Sequence, residues 1–474
     1  MLIRRLRPLL IVFAWISLPA AFACAAALTV RKAATLPALQ PLPMVTGGRM
    51  LVTPAPAAAG FGAKDDTAQW PGAYFRAAFN GSAVFFRIVG GDEILHIVVD
   101  GEPAPPLIKP EPGAYAVRGL SNARHEIDVF VATESQDAPT TFGGFAIPAS
   151  EKSLALQPRS RQIEFIGDSH TVGYGVLSPR HECPNGLVWS STDDTSAFGP
   201  ILARHYNADY QVNAISGRGI VRNYNGVPAD TLPQAYPYLL FDKKQAYDDP
   251  AWKPQVLVIA LGTNDFSTPL HPGEPWNTRD QLHADYEATY LRFLTDLRTR
   301  NPQADFIVWA TDMAAGEIAA EAQKVVEQRQ KQGDPHIVFL AIPGLNFGAC
   351  DWHPSLADES VIAAQLIHTI DRDPQVWQRA ERIRTPSHGQ VPERSTSGSS
   401  ADLRTNLAPG ENSVILSEPS AQSARVLFAR SSKTDASRMD LAVPFGGRVI
   451  LTGAPPIHLP ESMLLTGAEW NSLP

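Results

Sequence analysis

The sequence lacks several features that would place it in a particular class of protein. It has only 3 cysteines among 474 residues, which is too few for a disulfide-rich scaffold. Its formal net charge of −8 gives no basic surface of the kind that binds nucleic acid. It contains no H-E-x-x-H or C-x-x-C motif and no glycine-rich phosphate loop, so we predict no metal and no other cofactor.

Long hydrophobic runs are also absent, apart from one at the N-terminus. The apolar residues 9–18 follow three arginines and precede the small residues 20–27. This order is typical of a secretory signal peptide, and the run is short for a membrane span. An uncleaved membrane anchor is the alternative. We therefore predict a signal peptide over 1–27 and a mature protein that is secreted or periplasmic, with no membrane attachment after signal removal.

The next part of the chain has the pattern of short β-strands. Residues 28–45 are rich in proline and alanine, have no period and are interpreted as a lead segment. From 46 to 156, apolar runs of strand length recur about every ten residues, with turn signals such as Asn80-Gly81-Ser82 between them. No window in this region has helical periodicity. The pattern predicts an antiparallel β-sandwich domain over 46–156.

The periodicity changes in the region 157–380. Five apolar runs of strand length alternate with helical segments, of which the clearest are 281–300 and 356–370. Such alternation predicts an α/β fold, with a parallel sheet between two layers of helices. Beyond it, residues 381–474 begin with a segment dominated by Ser, Thr, Pro and Gly. We interpret them as a linker and a poorly ordered tail; a third domain is the alternative, and no function is assigned to them.

Four short motifs follow predicted strands of the α/β region, in an order that suggests catalysis. Because the carboxyl ends of parallel strands meet at one edge of a sheet, the motifs are expected to converge there. Together they would supply a nucleophile, donors for an oxyanion, a base and an acid. The motifs are Gly167-Asp168-Ser169, Ser216-Gly217-Arg218-Gly219, Gly262-Thr263-Asn264-Asp265 and Asp351-Trp352-His353.

Ser169 and His353 are the candidate nucleophile and base. A serine hydroxyl is a weak nucleophile unless a base lies within hydrogen-bonding distance. Asp351, two residues before the histidine, could accept the other imidazole proton and fix its tautomer. Two plainer interpretations stay open: Ser169 could cap a helix, and Asp351 could cap a loop while a backbone carbonyl orients His353.

The first cysteine falls at the predicted cleavage site, which leaves Cys183 and Cys350 as a pair in an exported protein. Cys183 lies a short distance after Ser169, and Cys350 lies three residues before His353. If the serine and the histidine meet, the two cysteines are brought near each other. We predict a disulfide between them, with two inert buried thiols as the alternative.

These motifs resemble those of the SGNH (GDSL-like) hydrolase superfamily, and the preceding sandwich resembles the jelly-roll of carbohydrate esterase family 2. The resemblance covers roughly 45–378. It implies an oxyanion hole formed by the backbone N–H groups of Ser169 and Gly217 and the side-chain amide of Asn264. Most of the superfamily places the acid three residues before the histidine, where this chain has Cys350. Family 2 includes members with the spacing seen here and members with only a dyad.

By the same resemblance, the expected substrate is an acetylated carbohydrate, a plant-type polysaccharide or oligosaccharide. Trp352 would bind the sugar by stacking, although packing under the catalytic loop would equally explain it. A lipase or thioesterase acting on acyl chains is one alternative function. A non-catalytic carbohydrate-binding protein is another, and the intact motif residues argue against it. The sequence predicts no oligomeric state.

Overall fold

The computed structural model describes residues 27–55 and 60–379. Residues 1–26 of the predicted signal peptide and the predicted linker and tail over 381–474 lie outside the described residues. Within the described part of the chain, no helix is long and apolar enough to cross a membrane.

The N-terminal part of the chain forms fourteen of the described strands. Their bounds are β1 (Thr29–Lys32), β2 (Leu39–Leu42), β3 (Met44–Gly47), β4 (Leu51–Pro54), β5 (Lys64–Ala68), β6 (Tyr74–Gly81), β7 (Val84–Gly90), β8 (Ile94–Val99), β9 (Glu102–Pro103), β10 (Leu107–Ile108), β11 (Gly113–Arg118), β12 (Ala123–Val131), β13 (Thr140–Pro148) and β14 (Lys152–Leu154).

These strands form two antiparallel sheets that enclose an apolar core. One sheet has the order β1-β11-β7-β13-β5-β4, with β2 also paired to β13; the other has the order β10-β8-β12-β6-β14, with β3 beside β6 and β9 beside β8. Alternate side chains of β12 are buried, as expected for a strand with one face on a core. The rings of Phe75 and Phe142, from the two sheets, stack with centroids 4.2 Å apart.

The segment 28–45, predicted as a lead, belongs to this sandwich. It contributes β1, β2 and the start of β3, which pair with the longer strands β11, β13 and β6. Each of these strands has only four residues, too few to show an alternating pattern in the sequence. Pro41 lies within β2, which pairs with β13 alone, and proline is tolerated in a strand that has a neighbour on one side only.

The rest of the described chain alternates between strands and helices. The strands are β15 (Arg161–Gly167), β16 (Ala208–Ala214), β17 (Val256–Ala260), β18 (Asp305–Ala310) and β19 (Ile337–Ala341). The helices are α1 (Ser169–Val172), α2 (Asn185–Ser191), α3 (Phe198–His205), α4 (Leu232–Ala235), α5 (Thr263–Phe266), α6 (Arg279–Arg300), α7 (Glu317–Lys331), α8 (Leu356–Asp371) and α9 (Val376–Arg379).

The five strands form a parallel sheet in the order β16-β15-β17-β18-β19. Helices α6 and α7 pack on one face through an apolar core, and α3 and α8 pack on the other face through a second core. This three-layer α/β arrangement after an all-β sandwich confirms the predicted fold class. The chain passes from β15 to β16 on one side and then to β17 on the other, so the carboxyl end of β15 is the switch point where open α/β sheets form their sites.

Candidate active site

Ser169 lies directly after β15, at the first residue of the one-turn helix α1. Asp168 caps this helix by accepting the backbone N–H of His170 at 3.1 Å. At Gly167 a Cβ atom would lie 2.0 Å from the Thr171 hydroxyl oxygen, so only glycine allows this tight turn. The turn places the serine hydroxyl at the carboxyl edge of the sheet.

His353 meets Ser169 across this edge. Its Nε2 atom lies 2.8 Å from Ser169 Oγ, although the two residues are 184 positions apart. The other ring nitrogen, Nδ1, lies 2.9 Å from the carbonyl oxygen of Cys350 and 3.2 Å from that of Asp351. Because a carbonyl can only accept, Nδ1 carries the proton, and Nε2 is left to accept the proton of the serine hydroxyl.

The Asp351 carboxylate does not lie within hydrogen-bonding distance of His353, the contact that the predicted triad requires. The carboxylate accepts a hydrogen bond from the Tyr174 hydroxyl at 3.0 Å instead. Asp351 and Trp352 both have left-handed backbone conformations, with φ of +50° and +61°. Two such residues in succession form a tight turn after Cys350, and this turn brings backbone carbonyls, rather than the carboxylate, to the imidazole.

The turn that carries His353 is held at several points. A disulfide joins Cys183 to Cys350, with their Cα atoms 5.5 Å apart. The backbone N–H of Asp351 donates to the carbonyl of His181 at 2.7 Å, and the rings of His181 and Trp352 are stacked at 3.9 Å. Trp352 is 61% exposed at the edge of the site, so it packs on the loop and still presents aromatic surface to solvent.

The three residues predicted to supply oxyanion donors, Ser169, Gly217 and Asn264, line the same cavity. In the described residues, the backbone N–H groups of Ser169 and Gly217 donate to no other protein group. Gly217 has φ of +82°, a conformation that favours glycine. The third donor already uses both of its N–H bonds. The side-chain amide of Asn264 donates to the Asp168 carboxylate at 3.0 Å and to the Arg218 carbonyl at 2.9 Å.

The loop that carries Gly217 is organised by Asp265, which is buried. Its carboxylate accepts the backbone N–H groups of Ile220, Val221 and Arg222, each at 2.9 Å. A Cβ atom at Gly219 would lie 2.5 Å from this carboxylate, so the second glycine of the motif allows the close approach. Burial raises the pKa of Asp265 to about 6, and the three N–H donors oppose that rise.

Burial also dominates the electrostatics of the histidines at the site. It lowers the pKa of His353 to about 4, and the Cys350 carbonyl, the negative charge of the Asp351 carboxylate and the Asp351 carbonyl only partly oppose this shift. His170, whose ring lies 5.3 Å from that of His353, has its pKa lowered to about 3 by burial. Both imidazoles are therefore neutral near pH 7, the state in which His353 can act as a base.

The serine and the histidine face a cavity of about 570 Å³. Residues from both the sandwich and the α/β region line it, and Gln136 is the member from the sandwich. No pattern in the sequence pointed to Gln136, whereas Tyr174 follows the serine motif closely and could have been chosen by its position. The lining residues are Gln136, Ser169, His170, Tyr174, Ser216, Gly217, Tyr224, Thr263, Asn264, Ser267, Met313, Asp351, Trp352 and His353.

Comparison with known proteins gives matches over both regions. A family model described as carbohydrate esterase 2 N-terminal matches residues 61–156, and a GDSL-like lipase/acylhydrolase model matches residues 165–360. An acetylxylan esterase/glucomannan deacetylase of Cellvibrio japonicus is 42% identical over 340 residues, which cover 71% of this chain and 93% of that protein.

Solved structures agree with this match. One carbohydrate esterase, whose active site is described as having divergent catalytic and non-catalytic binding functions, aligns with a TM-score of 0.67 at 42% identity, covering 71% of this chain and all of the other. A family two carbohydrate esterase from Clostridium thermocellum, solved with cellohexaose, aligns with a TM-score of 0.60 at 27% identity over 70% of this chain and 98% of the other. The chain belongs to carbohydrate esterase family 2 and is a carboxylic ester hydrolase.

Proposed function

We propose that this protein is an exported serine esterase that removes O-acetyl groups from a plant-type polysaccharide or oligosaccharide, with Ser169 as nucleophile and His353 as base. The observation that carries the proposal is the 2.8 Å contact between Ser169 Oγ and His353 Nε2. It lies beside the two backbone N–H groups, of Ser169 and Gly217, that donate to no other described group. A nucleophile, a base and free donors at one point are the requirements of acyl transfer.

The reaction would proceed in two halves. His353 takes the hydroxyl proton as Ser169 Oγ attacks the acetyl carbonyl, and the backbone N–H groups stabilise the resulting oxyanion. When the intermediate collapses, the protonated imidazole gives its proton to the departing sugar oxygen, which leaves an acetyl group on Ser169. A water molecule, deprotonated by His353, then attacks this acetyl group, the bond between Ser169 Oγ and the acetyl carbon breaks, and the imidazole returns the proton to Ser169 Oγ. The products are acetate and a free sugar hydroxyl.

Two features support carbohydrate over long acyl chains as the substrate. Trp352 and Tyr224 line the cavity and are 61% and 53% exposed, and exposed aromatic rings suit the apolar faces of sugars. The relative from Cellvibrio japonicus is described as an acetylxylan esterase and glucomannan deacetylase. We propose that Trp352 contacts the sugar on the side of the cavity next to His353.

Export is proposed from two independent features. The N-terminal 1–27 has the charge and hydrophobicity pattern of a signal peptide. The disulfide between Cys183 and Cys350 is of a kind that persists in secreted and periplasmic proteins. A polymeric substrate outside the cytoplasm agrees with both.

The proposed function is tested by comparing acetyl and long-chain esters. Purified enzyme is assayed with nitrophenyl acetate and nitrophenyl octanoate, and acetate release is followed from acetylated xylan, acetylated glucomannan and simple acetylated sugars. We expect the acetyl ester and at least one acetylated carbohydrate to be hydrolysed, and Ser169→Ala to abolish both activities. Preference for octanoate would instead support a lipase or thioesterase. Binding of glycan without hydrolysis would support a non-catalytic protein.

We propose that backbone carbonyls, and not the Asp351 carboxylate, orient His353. Accordingly, Asp351→Asn is expected to lower kcat by about tenfold or less, because Nδ1 keeps both carbonyl partners. The amide oxygen of the new side chain can still accept from Tyr174. The measurement is kcat for nitrophenyl acetate beside wild type and Ser169→Ala. A loss of several powers of ten would restore Asp351 as the third member of a triad.

The pH dependence follows from the low pKa of the base. We expect the protonation of His353 to halve kcat/KM near pH 4, since His353 must be unprotonated to act. A midpoint near the ordinary histidine value would contradict this prediction. Circular dichroism at each pH separates titration from unfolding.

The titration of the buried Asp168 does not interfere with this measurement, because it does not unfold the protein in acid. Burial raises its pKa to about 7, above that of an unfolded aspartate, so its contribution to stability is lost as the pH rises through about 7 and is fully present only at low pH. Asp168 therefore does not promote acid unfolding between pH 7 and 4.

A further inference from the structure

The loop between β12 and β13 extends from the sandwich to the loop 216–219 that carries Gly217 (the oxyanion loop) in the α/β region. Its residue Gln136 donates from Nε2 to the carbonyl of Ser216 at 3.0 Å. The side-chain oxygen of Gln136 accepts from the guanidinium of Arg218 at 3.1 Å, which fixes the orientation of the amide, because Arg218 can only donate. Two residues earlier in the same loop, Glu134 Oε1 accepts the backbone N–H of Ser216 at 2.8 Å.

The peptide held by Gln136 is the one that bears the Gly217 N–H. The Ser216 carbonyl and the Gly217 N–H belong to a single planar trans peptide and point in opposite directions. Fixing the direction of the carbonyl therefore fixes that of the N–H. The anchor matters at this position because glycine populates both signs of φ, so the peptide before Gly217 has little intrinsic resistance to rotation. A hydrogen bond at the carbonyl also polarises the peptide and makes its N–H a better donor.

The loop itself is held in place from the sandwich side and from the α/β side. The side chain of Gln69 donates to the backbone carbonyl of Gln136 at 3.3 Å and accepts the backbone N–H of Phe241 at 2.9 Å. The carbonyl of Ala132, at the start of the loop, accepts the backbone N–H of Asp194 at 2.8 Å. These contacts give Gln136 a fixed position relative to the serine.

We propose that Gln136 is a positioning residue for the esterase reaction: the sandwich domain orients the oxyanion-hole peptide of Gly217 through Gln136, with Glu134 holding the preceding N–H. The proposal rests on the proposed function, since it assigns the Gly217 N–H to the oxyanion. It also gives the sandwich a part in the chemical step, because without this loop the Ser216–Gly217 peptide would lose its anchors from the sandwich.

The test is Gln136→Ala, with Gln136→Met beside it. Each removes the donor to the Ser216 carbonyl, and the second keeps most of the side-chain volume. We expect each to lower kcat by about tenfold, the effect of losing one hydrogen bond in the transition state, with KM changed by less than about twofold. The inhibition constant of an alkylboronic acid, which forms a tetrahedral adduct with the serine, should rise by the same factor as kcat/KM falls.

Three further variants separate positioning from stability. Glu134→Gln keeps an oxygen that can accept the Ser216 N–H, so it should retain most of the kcat that Glu134→Ala loses. Tyr74→Phe removes a 2.8 Å hydrogen bond to Asp209 between the same two regions, away from the cavity. It should lower the melting temperature and leave kcat and boronic acid inhibition unchanged.

The outcomes distinguish this inference from the proposed function. If Ser169→Ala is inactive while Gln136→Ala keeps wild-type kcat, the positioning role is overturned and the esterase assignment stands. A raised KM with unchanged kcat overturns it as well, by making Gln136 a substrate-binding residue. A lower kcat with an unchanged inhibition constant for the boronic acid also overturns the positioning role. If Ser169→Ala retains activity, the proposed function itself fails.

Discussion

Ser169→Ala and His353→Ala are each expected to lower kcat by about 10⁴-fold or more, and the double variant is expected to be scarcely slower than either single one. In the proposed mechanism the two side chains, which lie 2.8 Å apart, act in one step, because the serine attacks only as His353 takes its proton. Once either is lost, the other has no partner through which to act. Their effects on the activation free energy should therefore not add.

The measurement is kcat for nitrophenyl acetate and the rate of acetate release from an acetylated glycan. Matched controls are Ser190→Ala and His368→Ala, since both residues are exposed and lie on helices away from the cavity. Both controls should keep wild-type kcat. Additive losses in the double variant would mean that Ser169 and His353 do not share a step.

Hydrophobic periodicity was sufficient to predict two long helices of the α/β region. The helix expected over 281–300 is Arg279–Arg300 in the structure, and that expected over 356–370 is Leu356–Asp371. Both have an apolar face repeated over several turns, and both begin after a residue whose side chain caps the first turn, Thr278 and Ser355. Long elements with such repeats are the ones that local sequence specifies best.

The convergence of the motifs could also be predicted, because it depends only on topology. Parallel strands place their carboxyl ends at one edge, so residues that follow β15, β16, β17 and β19 meet there whatever their distance in sequence. The 2.8 Å contact between Ser169 and His353 is the result. The disulfide joins Cys183, in the segment after Ser169, to Cys350, in the turn that carries His353.

The direction of the Asp351 side chain could not be predicted, because it depends on backbone angles that spacing does not reveal. An acid two residues before a histidine can contact the imidazole in an extended backbone. In this chain the positive φ values of Asp351 and Trp352 bring carbonyls to the ring instead. The carboxylate accepts a hydrogen bond from Tyr174, whose ring lies 4.2 Å from that of His353.

The role of Gln136 was hidden for another reason. It lies in a loop of the sandwich, and its partner Ser216 is 80 residues away, in the loop after β16 of the parallel sheet. No local pattern marks a glutamine in a loop as functional. Only the packing of the two regions against each other brings it to the oxyanion loop.

Asn264→Ala is expected to lower kcat by about 10²- to 10³-fold with a smaller effect on KM, as for the loss of one preorganised oxyanion donor. The structure adds a second reason for a large effect. The Asn264 amide joins the Asp168 carboxylate, which caps the nucleophile helix, to the Arg218 carbonyl in the oxyanion loop. Because the amide has only two N–H bonds and both are used in these contacts, its removal breaks the connection between the Ser169 turn and the loop of Gly217, and the amide can serve the oxyanion only by exchanging one of these contacts for it.

Stability must be separated from catalysis in this test, because Asn264 is buried. Asn301→Ala is a suitable control: Asn301 is also buried, but it ends α6 before β18, at the opposite edge of the sheet. Both variants should melt at a lower temperature than wild type, and only Asn264→Ala should lose kcat when assayed well below its melting temperature. An effect of Asn264→Ala confined to KM would remove this residue from the oxyanion hole and make it a substrate-binding residue, which would leave the backbone N–H groups of Ser169 and Gly217 as the only donors of the three.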